Sequence, residues 1–195
     1  MAKAQPVEMQ AHAIDNLRYI RRTIERAGSF TAVPGTGGVV MGSIALAAAW
    51  QAGARTGWRW LAVWMAAAVA AVLVGVASAA LKSRRAGLPL LSGPGRKFVA
   101  GFAPAMLAGA LLTAVLFRSG EAALLPGLWM LLYGTGVVSG GSASVRAVPL
   151  MGACFMAAGA AALLWPGLNA NTMLAAGFGG LHIVFGFLIA VKYGG

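Results

Sequence analysis

Long apolar stretches alternate along the chain with short polar segments that carry almost all of its charged residues. A helix needs about 20 residues to cross the hydrocarbon core of a bilayer. Each of the uncharged stretches 27–54, 60–81, 98–117 and 122–145 therefore predicts one membrane-spanning helix. The longest uncharged stretch, 147–191, has room for two spans, and the Pro, Gly and Asn residues of 165–171 divide it. The pattern predicts an all-α, polytopic integral membrane helix bundle with six transmembrane helices, at about 34–54, 60–81, 98–117, 124–145, 148–165 and 172–191.

A polar N-terminal cytosolic segment, residues 1–33, precedes the transmembrane domain, residues 34–195, and predicts an amphipathic helix over about 8–27. The apolar face of this helix carries Leu17, Ile20 and Ile24, and the opposite face carries Arg18, Arg22 and Arg26. The helix covers only about two heptads, too few for a coiled coil on its own. Two interpretations stay open: the helix lies in the headgroup layer with its arginines near anionic lipid, or it binds a protein partner.

Composition excludes an ordinary soluble domain. Of 195 residues, 59% are hydrophobic and 10% are charged, whereas a soluble domain has about 25% charged residues. The net charge is +11, and a cytoplasmic N-terminus places twelve of the fifteen basic residues on the cytoplasmic side. We therefore expect a multi-pass protein of the inner or plasma membrane, with both termini cytoplasmic and no nucleic-acid partner. The tryptophans near the predicted outer span ends are typical of an interfacial belt: Trp50, Trp58, Trp60, Trp64, Trp129 and Trp165.

Small residues recur four positions apart in the predicted spans, a spacing that lets membrane helices approach closely. The pattern occurs at Gly38 and Gly42, at Gly101, Ala105, Gly109 and Thr113, at Gly136 and Gly140, and at Ala153, Ala157 and Ala161. It predicts tight packing and leaves open a homo-oligomer through one of these faces. Residues 35–43 also resemble residues 134–142, through either an inverted three-span repeat or a chance match.

The predicted spans carry little ionisable chemistry. No Asp, Glu, Lys or Arg lies in the middle of any span, which disfavours a proton relay. The remaining candidates are Tyr133, Cys154 and His182. His182 either forms an interhelical hydrogen bond or binds a cofactor such as haem, and it is the one candidate for cofactor binding. A single cysteine cannot form an internal disulfide or a thiolate cage, so we predict no metal site and no cofactor.

Ser142 in the fourth predicted span and His182 in the sixth resemble the catalytic pair of rhomboid intramembrane proteases, and Trp58-Arg59 is similar to a rhomboid loop motif. The resemblance implies Ser142 as nucleophile and His182 as base. Two features depart from the family. Ala143 stands where Gly-x-Ser-Gly ends in glycine, and the second span has no His-x-x-x-Asn for an oxyanion site. We therefore assign no catalytic residue and expect that the protein is not an enzyme.

The sequence predicts a non-enzymatic accessory, scaffold or regulatory subunit that acts through its amphipathic helix. The alternative is a small-solute transporter or channel-like carrier. Its polar lining would come from Thr36, Ser43, Tyr133, Thr135, Ser139, Asn169, Asn171 and His182. A cofactor-binding protein that depends on His182 is a third class. A water-filled cavity lined by these side chains would favour the carrier, and a closed interior packed with Ala and Gly would favour the scaffold.

Overall fold

A computed structural model describes residues 14–17, 19, 33–87, 89–91, 93–165 and 167–193. Within these residues the chain is helical apart from the connecting turns. Residues 14–17 and 19 of the predicted amphipathic helix are helical, and Leu17 is exposed. The other residues assigned to the two faces of that helix lie outside the described residues: Arg18, Ile20, Arg22, Ile24 and Arg26.

The helices of the described chain from residue 35 onward are α1 Gly35–Ala52, α2 Gly57–Arg85, α3 Gly93–Arg118, α4 Leu125–Gly141, α5 Ala147–Leu164 and α6 Ala170–Tyr193. A 3-10 turn, Ala122–Leu124, leads into α4. Five helices, α2 to α6, are long and apolar enough to cross a membrane, as expected of a multi-pass membrane protein. The first helix, α1, is not among these five, because its glycines together with Ser43 and Gln51 lower its mean hydropathy.

Two helices extend beyond the spans that the sequence predicts. Helix α2 continues to Arg85, and α3 begins at Gly93. Charged residues end a membrane span because they need water or headgroups, but Lys and Arg are good helix formers and do not end a helix. Helix α4 is shorter than predicted and ends at Gly141. The basic ends of α2 and α3 therefore extend past the apolar part of the molecule.

The helices pack as two groups of three. Helix α1 packs along α2 and α6, which defines the first group, and α4 packs along α3 and α5, which defines the second group. If the six helices are divided into a first half, α1 to α3, and a second half, α4 to α6, the first helix of each half contacts the second helix of its own half and the third helix of the other half. Residues 35–43 and 134–142 do not follow this relationship, because Gly35 begins α1 whereas Gly134 lies in the middle of α4.

Glycine sets the close approach within each group. In the first group, a β-carbon on Gly186 would lie 2.7 Å from the backbone nitrogen of Val39 and 2.8 Å from the Gly35 oxygen. In the second group, a β-carbon on Gly152 would lie 2.8 Å from the Gly134 oxygen. Side chains would force these helices apart, so the glycines fix the separation of the helix axes.

The small residues predicted for the fifth span face the wrong way for this packing. Ala153 and Ala157 are exposed, whereas Gly152 and Gly159 hold α5 against α4. In a helix rich in Ala and Gly, small residues recur four positions apart on more than one face. The sequence alone does not show which of these faces packs against the neighbouring helix.

Candidate functional site between the two helix groups

A hydrogen bond between α4 and α6 joins the two helix groups near the middle of the bundle. The Tyr133 hydroxyl lies 2.8 Å from Nε2 of His182, and Nδ1 of His182 lies 2.9 Å from the Phe178 carbonyl oxygen. A carbonyl oxygen only accepts, so Nδ1 carries the proton that it donates to Phe178. In the neutral ring, Nε2 is then the acceptor, and Tyr133 donates its O–H to it.

Aromatic rings enclose this pair. The Tyr133 ring lies edge-on to Phe102, Phe155 and Phe178, with ring centroids 5.7, 4.8 and 5.2 Å away. His182 is only 6% exposed. A polar side chain surrounded by apolar groups must find a partner, because leaving it unpaired costs free energy. The pair therefore has the geometry of an interhelical hydrogen bond, the first of the two roles that the sequence left open for His182.

A π-helical segment, Ala175–Leu181, immediately precedes His182. The segment is rich in glycine, and a β-carbon on Gly177 would lie 2.5 Å from Sδ of Met130. Glycine therefore lets α4 and α6 approach at this point. A π turn contains more residues than an α turn and changes the direction in which the next side chain points, and such turns are frequent at functional sites.

A second polar cluster lies near the start of α6, around Asn171. Its Oδ1 accepts hydrogen bonds from Nε1 of Trp60 at 2.8 Å and of Trp64 at 3.2 Å. Its Nδ2 donates to the Gly53 carbonyl oxygen at 2.7 Å. One amide side chain thus ties together α2, α6 and the turn that follows α1.

Stacked tryptophans connect this cluster to the second group. The Trp60 ring stacks on Trp129, with centroids 5.5 Å apart and planes 7° from parallel. Nε1 of Trp129 donates to the Thr113 hydroxyl at 2.8 Å, and that hydroxyl donates to the Gly109 carbonyl oxygen at 2.7 Å. At this end of the bundle the two groups therefore meet through large aromatic side chains.

The interfacial belt predicted for the tryptophans describes only some of them. Trp50, Trp58 and Trp165 are exposed, but Trp60 and Trp64 are buried. Their four-residue spacing, which places both on one helix face, is the sequence signal for this role. The sequence does not reveal that the amide of Asn171 receives both indoles.

A structural clamp lies at the opposite, basic end of the bundle. Nζ of Lys82 donates to the carbonyl oxygens of Val33 at 3.1 Å and of Tyr193 at 3.2 Å. It thereby connects the end of α2 with Val33, two residues before α1, and with the last residue of α6.

The side chains predicted to line a polar path do not converge. Thr36, Thr135 and Ser139 are exposed, and the Thr135 hydroxyl bonds to the Leu131 oxygen of its own helix. Of the eight side chains assigned to this lining, all of which lie within the described residues, only those of Tyr133 and His182 bond to each other. A cavity of about 70 Å³ near the start of α4 is lined by apolar residues such as Leu163. Its lining includes neither member of the pair.

The serine–histidine pair implied by the rhomboid resemblance is not formed in the described part of the chain. The Ser142 hydroxyl donates to the Ser139 carbonyl oxygen at 2.9 Å, and the two ring nitrogens of His182 are bonded to Phe178 and Tyr133. Within the same residues, no three His, Cys, Asp or Glu side chains come together as metal ligands would. A ligand at Nε2 of His182 would have to displace Tyr133.

Comparison of the chain with models of protein families, with curated proteins and with solved structures gives no match. Any function must therefore be argued from the geometry of the site, the surfaces and the helix packing.

Proposed function

We propose that the chain is a non-enzymatic membrane protein that serves as an accessory, scaffold or regulatory subunit. The observation that carries this proposal is the closed interior. Each helix group is held together by glycine-to-backbone contacts, and Tyr133 and His182 satisfy each other at the junction between the groups. This is the packed interior that favours a scaffold over a carrier.

The proposal includes six spans, with α1 as the first. Helix α1 packs along α2 and α6, which are both candidate spans, so it shares their depth in the membrane. The basic residues at the end of α2 and the start of α3 support a cytoplasmic position for that end of the bundle and for both termini.

Cysteine accessibility tests this topology in a Cys154→Ala background. We expect a membrane-impermeant maleimide to label Gln51→Cys in intact cells. Lys3→Cys, in the segment that precedes α1, should react only after the membrane is permeabilised. Labelling of both positions from the same side would contradict a spanning α1.

In this proposal, the N-terminal amphipathic helix is the surface that docks on a protein partner or on the membrane. Ile14 and Leu17 are 49% and 66% exposed, so the described part of its apolar face is available for docking. We propose that Leu17, Ile20 and Ile24 bind a protein partner or enter the cytoplasmic headgroup layer, with Arg18, Arg22 and Arg26 near lipid phosphates.

A triple variant, Leu17→Ser with Ile20→Ser and Ile24→Ser, tests the docking surface. We expect it to lose a protein that copurifies with the wild-type chain, or to expose the helix to added protease. The matched control is Asn16→Ser with Thr23→Ser, which should change neither. A triple variant that behaves like this control in both measurements would contradict the proposal.

A small-solute carrier is the second candidate, and one observation favours it. The two three-helix groups repeat the same packing relationship, as in carriers with inverted repeats, and meet at the Tyr133–His182 hydrogen bond. A carrier requires uptake of a small polar solute into liposomes that contain the purified chain, above protein-free liposomes and reduced by Tyr133→Phe. The absence of uptake across a broad solute panel would contradict it.

The proposal assigns no resident cofactor, and an optical spectrum of the purified chain tests this. A haem bound through His182 would absorb in the visible range, and the band would disappear in His182→Ala. Such a band would contradict the scaffold proposal and establish the third class.

A further inference from the structure

Helices α2 and α3 follow each other in the chain but do not pack along each other. Helix α2 packs on α1, and α3 packs on α4. A ring contact between Trp58 and Phe117, with centroids 6.1 Å apart, joins α2 and α3 at the tryptophan end of the bundle. In the most apolar part of each helix, only 11% of the residues of α2 and 6% of those of α3 are buried, whereas 28% to 39% are buried in α4, α5 and α6.

Apolar side chains are exposed on both of the helices that flank this gap between the groups. On the half of α2 toward its basic end, Val72, Leu73 and Val76 are more than half exposed, and Val99 of α3 is 50% exposed. In a membrane, acyl chains are the material that covers such a surface.

Basic residues lie at the end of α2 and at the start of α3, the two helices that flank the gap. Helix α2 ends with Arg84 and Arg85, and the first turn of α3 contains Arg96 and Lys97. All four are exposed, and no acidic side chain pairs with them within the described residues. The nearest acidic residue in sequence, Glu121, follows the opposite end of α3. Four cationic groups therefore lie at the adjoining ends of two consecutive helices whose apolar side chains are exposed.

We propose that this gap binds an anionic phospholipid of the adjoining leaflet, with its phosphate between the basic ends of α2 and α3 and its acyl chains against the exposed apolar faces of these helices. The basic residues favour an anionic headgroup because their charge is opposite to its own. The apolar side chains favour a lipid over a free anion because only a lipid has acyl chains that can cover them. Basic pockets between membrane helices bind anionic headgroups in this way. The proposal requires only membrane insertion and holds for a scaffold and for a carrier alike.

Native mass spectrometry of the delipidated full-length chain tests this site by titration with phosphatidylglycerol and with phosphatidylcholine. We expect phosphatidylglycerol to bind at least about tenfold more tightly. Arg96→Gln with Lys97→Gln should weaken its binding about 30-fold, since each basic residue near an anionic surface accounts for about fivefold. Arg84→Gln with Arg85→Gln should have a similar effect.

The matched control is Arg146→Gln with Lys192→Gln, which removes the same charge from two exposed residues, one immediately before α5 and one in the last turn of α6. We expect it to weaken binding less than about threefold, and inorganic phosphate at millimolar concentration not to displace the lipid. An equal loss of binding in the control and in the two test variants, equal binding of both lipids, or displacement by phosphate would each overturn the proposal. All variants change exposed side chains, and an unchanged Tm without lipid confirms that they fold.

Discussion

The hydroxyl of Tyr133 donates a hydrogen bond to Nε2 of His182 across the junction of the two helix groups. The donor lies on α4, the acceptor lies on α6, and the oxygen–nitrogen distance is 2.8 Å. The His182 ring is fixed from its other side by the Phe178 carbonyl oxygen. The Phe178 carbonyl thus fixes the orientation of the His182 ring independently of Tyr133. The bond from Tyr133 therefore depends directly on the distance between the two helix groups.

Tyr133→Phe should destabilise the protein by about 1 kcal/mol. It removes the donor and leaves a buried nitrogen unpaired, and hydrogen bonds in membrane interiors are worth about 0.6 kcal/mol on average. The expected fall in Tm is about 2–4 °C for a chain of this length, measured in detergent by tryptophan fluorescence. Thr135→Val is the control, because Thr135 is exposed and bonds within its own helix. Equal shifts in the two variants would show that the bond between the groups adds no stability.

Asn171→Ala should cost more than Tyr133→Phe, about 2 kcal/mol. Three hydrogen bonds converge on this side chain, from Trp60 and Trp64 and to Gly53. Loss of the acceptor should also alter the fluorescence of the two indoles. The control is Gln51→Ala, an exposed amide on α1, for which a change within about 0.5 kcal/mol is expected. The prediction fails if both amides prove equally dispensable in thermal unfolding.

Gly186→Ala and Gly109→Ala should change stability in opposite directions. A β-carbon on Gly186 meets the backbone of α1 at 2.7–2.9 Å, so α1 and α6 must separate, at a cost of about 1–3 kcal/mol. A β-carbon on Gly109 meets only a Leu132 methyl group at 3.6 Å, which is ordinary contact. There alanine gains up to about 1 kcal/mol through helix propensity. Thermal unfolding distinguishes the two, and a stable Gly186→Ala variant would contradict the packing argument.

The length of the apolar stretches predicts the helical class of this molecule, because the thickness of the bilayer imposes a length on every span. The same reasoning misplaces the ends of α2 and α3, since basic residues such as Arg85 end a span but can continue a helix. It also predicts α1 as a span, although the glycines at which α1 packs against α2 and α6 lower its mean hydropathy. The composition of a segment determines how favourably that segment enters lipid, whereas its packing depends on the residues of the helix that it contacts.

The candidate site is only partly predictable for the same reason. An isolated histidine in an apolar span must find a hydrogen-bonding partner, so His182 can be identified from the sequence alone. Its partner Tyr133 and the surrounding Phe102, Phe155 and Phe178 come from different helices, and their meeting depends on tertiary arrangement. Asn171 illustrates the limit further, because its partners Trp60 and Trp64 precede it by more than 100 residues.

Lys82→Met should loosen the basic end of the bundle. Nζ of Lys82 donates to the carbonyl oxygens of Val33 and Tyr193, and the last carbonyls of a helix have no partner within that helix. A cation near a helix C-terminus also interacts favourably with the helix dipole, so the combined loss is about 1 kcal/mol. Hydrogen exchange should accelerate at the start of α1 and the end of α6, while the tryptophan end remains protected.

Lys192→Met is the matched control for this clamp. It makes the same chemical change one residue before Tyr193, but Lys192 is exposed and donates to no carbonyl in the described part of the chain. If the clamp acts through its two hydrogen bonds, only Lys82→Met accelerates exchange. If the effect is merely one of net charge, both variants accelerate it equally, and the hydrogen bonds of Lys82 then contribute nothing to holding α1, α2 and α6 together.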